Sequence, residues 1–162
     1  MATDPPLDVL LDPLRGAPRT LGAWLTNFHL LTVVLDPFTN ESAWILETAG
    51  RLLTEYSAAD VRVAFVVTGT EDETRQFLGP WTERVLAFSD PDRAFVKGLG
   101  LQQLPALVNV NMSGAVESAA EGWDPETWRA ALENLSRILS WTVPVLPAPG
   151  DPNAYEGSAA LG

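Results

Sequence analysis

The sequence contains no cysteine, a single histidine, and only 10 basic residues against 21 acidic ones. Without cysteine the chain has no disulfide, no thiolate metal ligand and no thiol for catalysis. Its net charge of −11 disfavours binding to nucleic acid and to anionic membrane surfaces, because both repel an acidic protein. We therefore expect neither nucleic acid nor membrane among its partners.

Long apolar runs are also missing, since charged or polar residues interrupt every hydrophobic stretch well before the roughly 18 to 20 residues needed to cross a bilayer. The first residues, MATDPPLDVLLDPLRG, carry aspartates where a secretory signal peptide carries basic residues. These two absences predict a cytoplasmic protein.

Neither a metal site nor a nucleotide site is indicated. One histidine and scattered carboxylates give no cluster with the spacing of metal ligands. Gly98 and Gly100 are not placed between a strand and the start of a helix, as a phosphate-binding loop requires. The sequence therefore predicts no metal and no cofactor.

Two apolar, β-branched segments indicate the core of the fold. Residues 29–35 (HLLTVVL) and 61–67 (VRVAFVV) are typical of strands buried on both faces. Between them, apolar residues repeat at spacings of three and four over residues 41–56, which predicts a helix. A strand, a helix and a second strand form a βαβ unit, whose strands are expected to be parallel.

Further signals divide the rest of the central region. Thr70 and Glu73 form a capping box that predicts a helix to about Leu78. Residues 106–110 and 115–120 are predicted strands joined by a turn of Asn, Ser and Gly. Asp124 followed by proline indicates the start of a last helix, which is expected to end near Trp141.

The chain is long enough for one buried core but not for two full domains. We predict a domain over residues 18–141, beginning with a short amphipathic helix over 19–28. Residues 1–17, rich in Pro and Asp, are expected to form an extended arm. Residues 142–162, rich in Pro and Gly, have too little periodic apolar surface to offset the entropy of ordering and are predicted to be disordered.

The order of these elements resembles the thioredoxin-like fold, and more narrowly its alkyl-hydroperoxide-reductase and thiol-disulfide-interchange branch. The resemblance covers about residues 20–140 and implies a central mixed β-sheet with helices on both faces. It is carried by three segments: LTVVLDPFTNESAWILETAGRLLTEY, ERVLAFSDPDRAFVKGLGLQQLPALVNV and NMSGAVESAAEGWDPETWRAALENL.

The most specific element of the resemblance is Leu104-Pro105-Ala106, because in that family the proline at the start of this strand is cis and faces the helix that carries the thiols. Thr39-Asn40-Glu41-Ser42 falls in the Cys-x-x-Cys position, with a hydroxyl in place of each sulfur. A serine hydroxyl needs an adjacent general base, and His29 is expected at the opposite end of its strand. The redox activity of the family is therefore not expected here.

The resemblance also implies a peptide-binding groove between the helix N-terminus and the proline loop. We expect a non-redox binding, chaperone-like or assembly protein that holds a protein or extended peptide partner there. One alternative is a hydrolase or transferase that uses non-thiol chemistry at the same junction. The other is a structural or dimerising subunit, including a homodimer, in which the apolar arm at residues 7–14 covers a partner molecule. The expected groove residues are Asp36, Phe38, Thr39, Ser42, Trp44, Leu104 and Pro105.

Overall fold

The structure is a computed structural model that describes residues 2–162. Its helices are α1 (Leu21–Trp24), α2 (Asn40–Glu55), α3 (Glu71–Leu78), α4 (Ala94–Leu99) and α5 (Pro125–Leu139), with a 3-10 turn over Gly79–Glu83. Its strands are β1 (Leu10–Pro13), β2 (Arg19–Thr20), β3 (His29–Leu35), β4 (Val61–Val67), β5 (Leu86–Ser89), β6 (Gln103–Leu104), β7 (Ala106–Val110), β8 (Val116–Glu121) and β9 (Ser158–Ala159).

Seven strands form one mixed sheet in the order β2-β1-β5-β4-β3-β7-β8. Strands β3 and β4 are parallel, with His29 opposite Val61 and Leu35 opposite Val67. Strand β5 is parallel to β4, and β7 is antiparallel to β3. The predicted βαβ unit is confirmed, and the bounds of its two strands are those that the apolar runs indicated.

The two faces of the sheet are covered by different helices. Side chains that alternate along β3 point to opposite faces, so Leu31 and Val33 pack with the apolar residues of α2 and α5. Leu30 and Val34 pack on the other face with those of α1 and α4. The predicted α/β architecture, a mixed sheet flanked by helices on both faces, is confirmed.

Local capping fixes where three helices begin. Thr70 and Glu73 form the predicted capping box at α3, and the Asp124 carboxylate accepts from the Glu126 amide at α5. At α4 the buried Asp90 carboxylate accepts from the amides of Phe95 and Val96. Burial raises the pKa of Asp90, and these backbone donors oppose that rise.

The N-terminal segment, expected to be an extended arm, contributes a strand to the main sheet. Strand β1 pairs with β5 and joins the main sheet, and Leu11 is fully buried among the residues that contact α1 and α4. The predicted helix over 19–28 is also too long. Arg19 and Thr20 pair with β1, so the helix starts only after them and is one turn long.

The C-terminal segment, predicted to be disordered, contacts the domain at several buried positions. Leu146 is 3% exposed in the core next to α2 and α5, and Ala160 is 1% exposed on the other side of the sheet. The sequence does not indicate these contacts, because they are isolated apolar contacts and backbone hydrogen bonds that leave no periodic apolar pattern.

The tryptophans differ in how deeply they are buried. Trp24 and Trp128 lie in the core. Trp141 is 36% exposed, and its ring nitrogen donates to the Glu55 carbonyl at 2.9 Å. Trp81 is buried against Gly50 of α2.

Candidate functional site

The junction between β3 and α2 is a tight turn held by hydrogen bonds that involve short polar side chains. The Asp36 carboxylate accepts from the Phe38 amide at 2.9 Å, and the Ser42 hydroxyl oxygen accepts from the Asp36 amide at 2.8 Å. Thr39 is the N-cap residue of α2, but its side chain makes no cap hydrogen bond and instead donates to the Asp36 carbonyl. The two hydroxyls therefore hold the turn together more than they cap the helix.

This geometry gives Ser42 a structural role. The residue is 0% exposed, and its oxygen is engaged by a backbone amide. His29 lies at the far end of β3 from this turn, about 20 Å away at the rise of a β-strand. Ser42 therefore shapes the turn, and the one histidine of the sequence lies too far away to act as its general base.

The loop before β7 lies across from this turn. The Leu104–Pro105 peptide bond is cis, as the resemblance implied. Ser158 lies between the two, since its hydroxyl is 3.4 Å from both the Thr39 hydroxyl and the Leu104 carbonyl. The structure thus brings the two sides of the expected groove together, on either side of one residue of the C-terminal segment.

That segment fills the groove as an extended strand. Ser158 and Ala159 pair antiparallel with Leu104 and Gln103. The Ala160 amide continues the pairing by donating to the Gln102 carbonyl at 2.9 Å. We call residues 155–160, Tyr-Glu-Gly-Ser-Ala-Ala, the groove segment. Sequence reasoning placed them in a disordered tail and missed them.

An aromatic contact fixes one end of the groove segment. The ring of Tyr155 packs edge-on against Trp44, with ring centroids 5.5 Å apart. Its hydroxyl donates to the Glu41 carbonyl, and its backbone exchanges two hydrogen bonds with Trp123, of 2.8 and 2.9 Å. Burial raises the pKa of Tyr155, and the charge of Glu41 raises it further. The hydroxyl is therefore held in its neutral, donating form.

Arg93 fixes the other end and was not predicted. It adopts a left-handed backbone conformation, with φ of 58°, just before α4. Its guanidinium donates to the Ala160 carbonyl, and a second nitrogen lies 3.5 Å from the Asp36 carboxylate. A single arginine after Asp-Pro-Asp carries no sequence signal for this role, because only the fold brings it to Asp36.

The chain leading to the groove segment is anchored on α2. The Asp151 carboxylate contacts the Arg51 guanidinium at 2.9 Å, the Thr48 hydroxyl at 2.7 Å and the Ala148 amide at 2.7 Å. The Asp151 side chain is only 5% exposed. This cluster, which we call the Asp151 anchor, holds the start of the segment beside the helix whose N-terminus forms the groove.

The expected groove residues differ in accessibility. Asp36, Ser42, Leu104 and Pro105 are buried, and Thr39 is half-buried. Phe38 and Trp44 are 65% and 57% exposed, so large aromatic surfaces remain at the rim of the groove beside its occupant.

Two further properties concern residues 2–162. No helix in that range has the length and apolar character needed to span a membrane. The same range holds no group of three or more histidine, cysteine or acidic side chains arranged to hold a metal ion.

No protein-family model and no curated protein matches this sequence. Solved structures do match. A putative thiol:disulfide interchange protein DsbE from Chlorobium tepidum aligns with a TM-score of 0.69 at 15% identity, covering 86% of this chain and 98% of that one. The protein has a thioredoxin fold. Peroxiredoxin Q from Xanthomonas campestris aligns with a TM-score of 0.64 at 16% identity, over 83% of this chain and 90% of that one.

A third thioredoxin-fold structure, dsbF of MTB in mixed oxidised and reduced forms, aligns with a TM-score of 0.63 at 15% identity, over 83% and 94% of the two chains. Thiol chemistry of the kind that these names describe needs cysteine. This sequence has none, so it shares their fold without the side chain on which thiol redox catalysis depends.

Proposed function

We propose that this chain is a non-redox, thioredoxin-fold binding protein with a chaperone-like or assembly role, and that it holds an extended protein segment in the groove between Thr39–Ser42 and Leu104–Pro105. The observation that carries the proposal is the antiparallel pairing of Ser158–Ala159 with Gln103–Leu104. Addition of an extended strand to exposed backbone groups is a general mode of peptide recognition. This groove therefore has the backbone geometry to receive such a strand.

The rim of the groove supports the same function. Trp44 and Phe38 present apolar surface next to main-chain donors and acceptors, and exposed aromatic residues beside a groove are favoured anchors for a protein partner. The alternatives have less support. Ser42 is buried in a structural hydrogen bond, and the apolar arm expected to cover a second subunit instead places Leu11 in the core of its own chain.

The test is a comparison of partners captured from the native host by the full-length wild-type protein, Trp44→Ala and Trp141→Ala. Trp141 is a matched control, because it is also an exposed tryptophan but contacts Glu55, at the other end of α2. Partners retained by the wild type and by Trp141→Ala, and lost by Trp44→Ala, are expected if the groove is the binding site. The same set of proteins on all three baits would contradict the proposal.

A further inference from the structure

The contacts of the groove segment indicate which side chains the groove can accommodate at each position. Its six residues are bound at successive positions by different features of the surface: an aromatic contact at Tyr155, a close backbone approach at Gly157, and buried or polar contacts at Ser158 and Ala160. Each contact sets a requirement on the side chain at that position.

The position of Tyr155 requires an aromatic side chain with a donor at its tip. Its ring meets Trp44 at an interplanar angle of 83°, the edge-to-face geometry that aromatic pairs prefer. The hydroxyl reaches the Glu41 carbonyl in the first turn of α2. An aliphatic residue would lose both the ring contact and the hydrogen bond.

The position of Gly157 accepts no other residue without displacement. A Cβ atom there would lie 2.5 Å from the Leu104 carbonyl oxygen and 3.2 Å from the Gly122 Cα. Both neighbours are backbone atoms, which cannot swing aside as a side chain can. The φ angle of +94° adds a second restriction, because residues other than glycine rarely adopt it.

The last positions favour small residues. The Ser158 hydroxyl lies within 3.4 Å of Thr39 and Leu104, between the two walls of the groove. Ala160 is 1% exposed in a packed core, and Arg93 donates to its carbonyl. A longer side chain at Ala160 would have to displace core atoms. Arg93 contacts only the backbone carbonyl, so it sets no requirement on the side chain.

From these contacts we infer that the groove is specific for extended segments of the pattern aromatic-x-Gly-Ser-x-Ala, in which the exposed Ala159 position sets no requirement, and that the chain's own residues 155–160 compete with any such segment from another molecule. This inference rests on the proposed function and names its ligand class. Because the internal segment is tethered, its effective concentration is on the order of 1 mM. A matching peptide with an intrinsic Kd of about 0.1 mM would therefore bind the wild type about tenfold more weakly than it binds an open groove.

The test uses full-length protein and a labelled synthetic peptide with the sequence of residues 153–162, followed by fluorescence anisotropy. In Gly157→Ala the internal segment is expected to leave the groove, which opens it. Gly150→Ala is the matched control, since Gly150 has nearly the same φ of +93° but no atom within 4 Å of an added Cβ. Circular dichroism checks that both variants remain folded.

We expect the peptide to bind Gly157→Ala about tenfold more tightly than it binds the wild type or Gly150→Ala. A second peptide with alanine at the Gly157 position is expected to bind Gly157→Ala at least about tenfold more weakly than the matching peptide does, since the clash moves to the peptide. Light scattering gives a further test. A dimer that forms with the wild-type chain and not with Gly157→Ala would also support the inference, because a second copy would then supply the segment.

Two results would contradict the inference, and only one of them would also contradict the proposed function. Equal binding of the two peptides to Gly157→Ala would overturn the specificity while leaving a groove that takes extended peptides. Binding of neither peptide to Gly157→Ala would overturn both the specificity and the proposed function.

Discussion

Removal of the charge from Asp151 is expected to loosen the segment that fills the groove. The carboxylate is almost fully buried and accepts from Arg51, Thr48 and the Ala148 amide, at 2.7 to 2.9 Å. Hydrogen bonds to a charged group contribute about 1.5–3 kcal/mol each. Asp151→Asn keeps the shape and one acceptor oxygen, and Arg51 stays partly in water. We therefore expect a loss of about 2 kcal/mol, well below the sum of three such bonds.

Glu55→Gln is the matched control for this change. Glu55 contacts the same Arg51 guanidinium, but at 3.5 Å and with its side chain 45% exposed. Exposed pairs contribute about 0–1 kcal/mol, so we expect Glu55→Gln to change the free energy of unfolding by less than about 0.5 kcal/mol. The two variants remove one charge each from the same partner and differ mainly in burial.

Urea denaturation followed by circular dichroism measures both variants, and thermal unfolding should show Asp151→Asn about 4–8 °C below the wild type. Hydrogen exchange of residues 155–160 in the same samples shows whether the segment loosens before the domain unfolds. An Asp151→Asn protein within about 0.5 kcal/mol of the wild type, or a Glu55→Gln protein equally destabilised, would refute the reasoning, because burial would then not decide the strength of the anchor.

Two other predictions concern the groove segment and the core. The raised pKa of Tyr155 means that its neutral form contributes stability that is fully present below about pH 10 and is lost as the pH rises through the folded-state pKa. Alkaline titration should therefore destabilise the wild type more than Tyr155→Phe, and parallel curves would contradict this. Gly50→Ala should destabilise by about 1–3 kcal/mol, since its Cβ would lie 2.4 Å from the buried Trp81 ring. In thermal denaturation Gly22→Ala should lose much less, because its Cβ would lie 3.5 Å from the nearest atom and alanine has the higher helix propensity. An equal loss in both variants would contradict overpacking as the cause.

Most of the fold could be predicted from patterns that lie within a single helix or strand. Strands β3 and β4 are buried over most of their length on both faces, so each is a largely apolar run with clear ends. The start of α3 needs only Thr70 and Glu73, three residues apart, and is predictable for the same reason. Strand β1 has only four residues and alternates between exposed and buried positions, too short a pattern to separate from an extended arm.

The sequence predicted the two walls of the candidate site but not the segment that lies between them. The resemblance led to Thr39–Ser42 and to Leu104–Pro105, which the structure places on either side of Ser158. The occupant was missed because its contacts are distant in sequence: Tyr155 contacts Trp44, and Ala160 contacts Arg93. Glycine-rich composition usually indicates disorder, but at Gly157 the absence of a side chain is what permits the close backbone approach to Leu104.

The most direct test of the account is amide hydrogen exchange of the full-length wild-type protein, resolved by NMR at Tyr155 and Ala160. These amides donate to the carbonyls of Trp123 and Gln102, at 2.8 and 2.9 Å. If the segment occupies the groove, both amides should exchange at least about a hundredfold more slowly than in an unstructured peptide, which corresponds to a closed state favoured by about 2.7 kcal/mol. Exchange of both at the unstructured rate would contradict the central claim that this thioredoxin-fold chain binds its own segment in the groove.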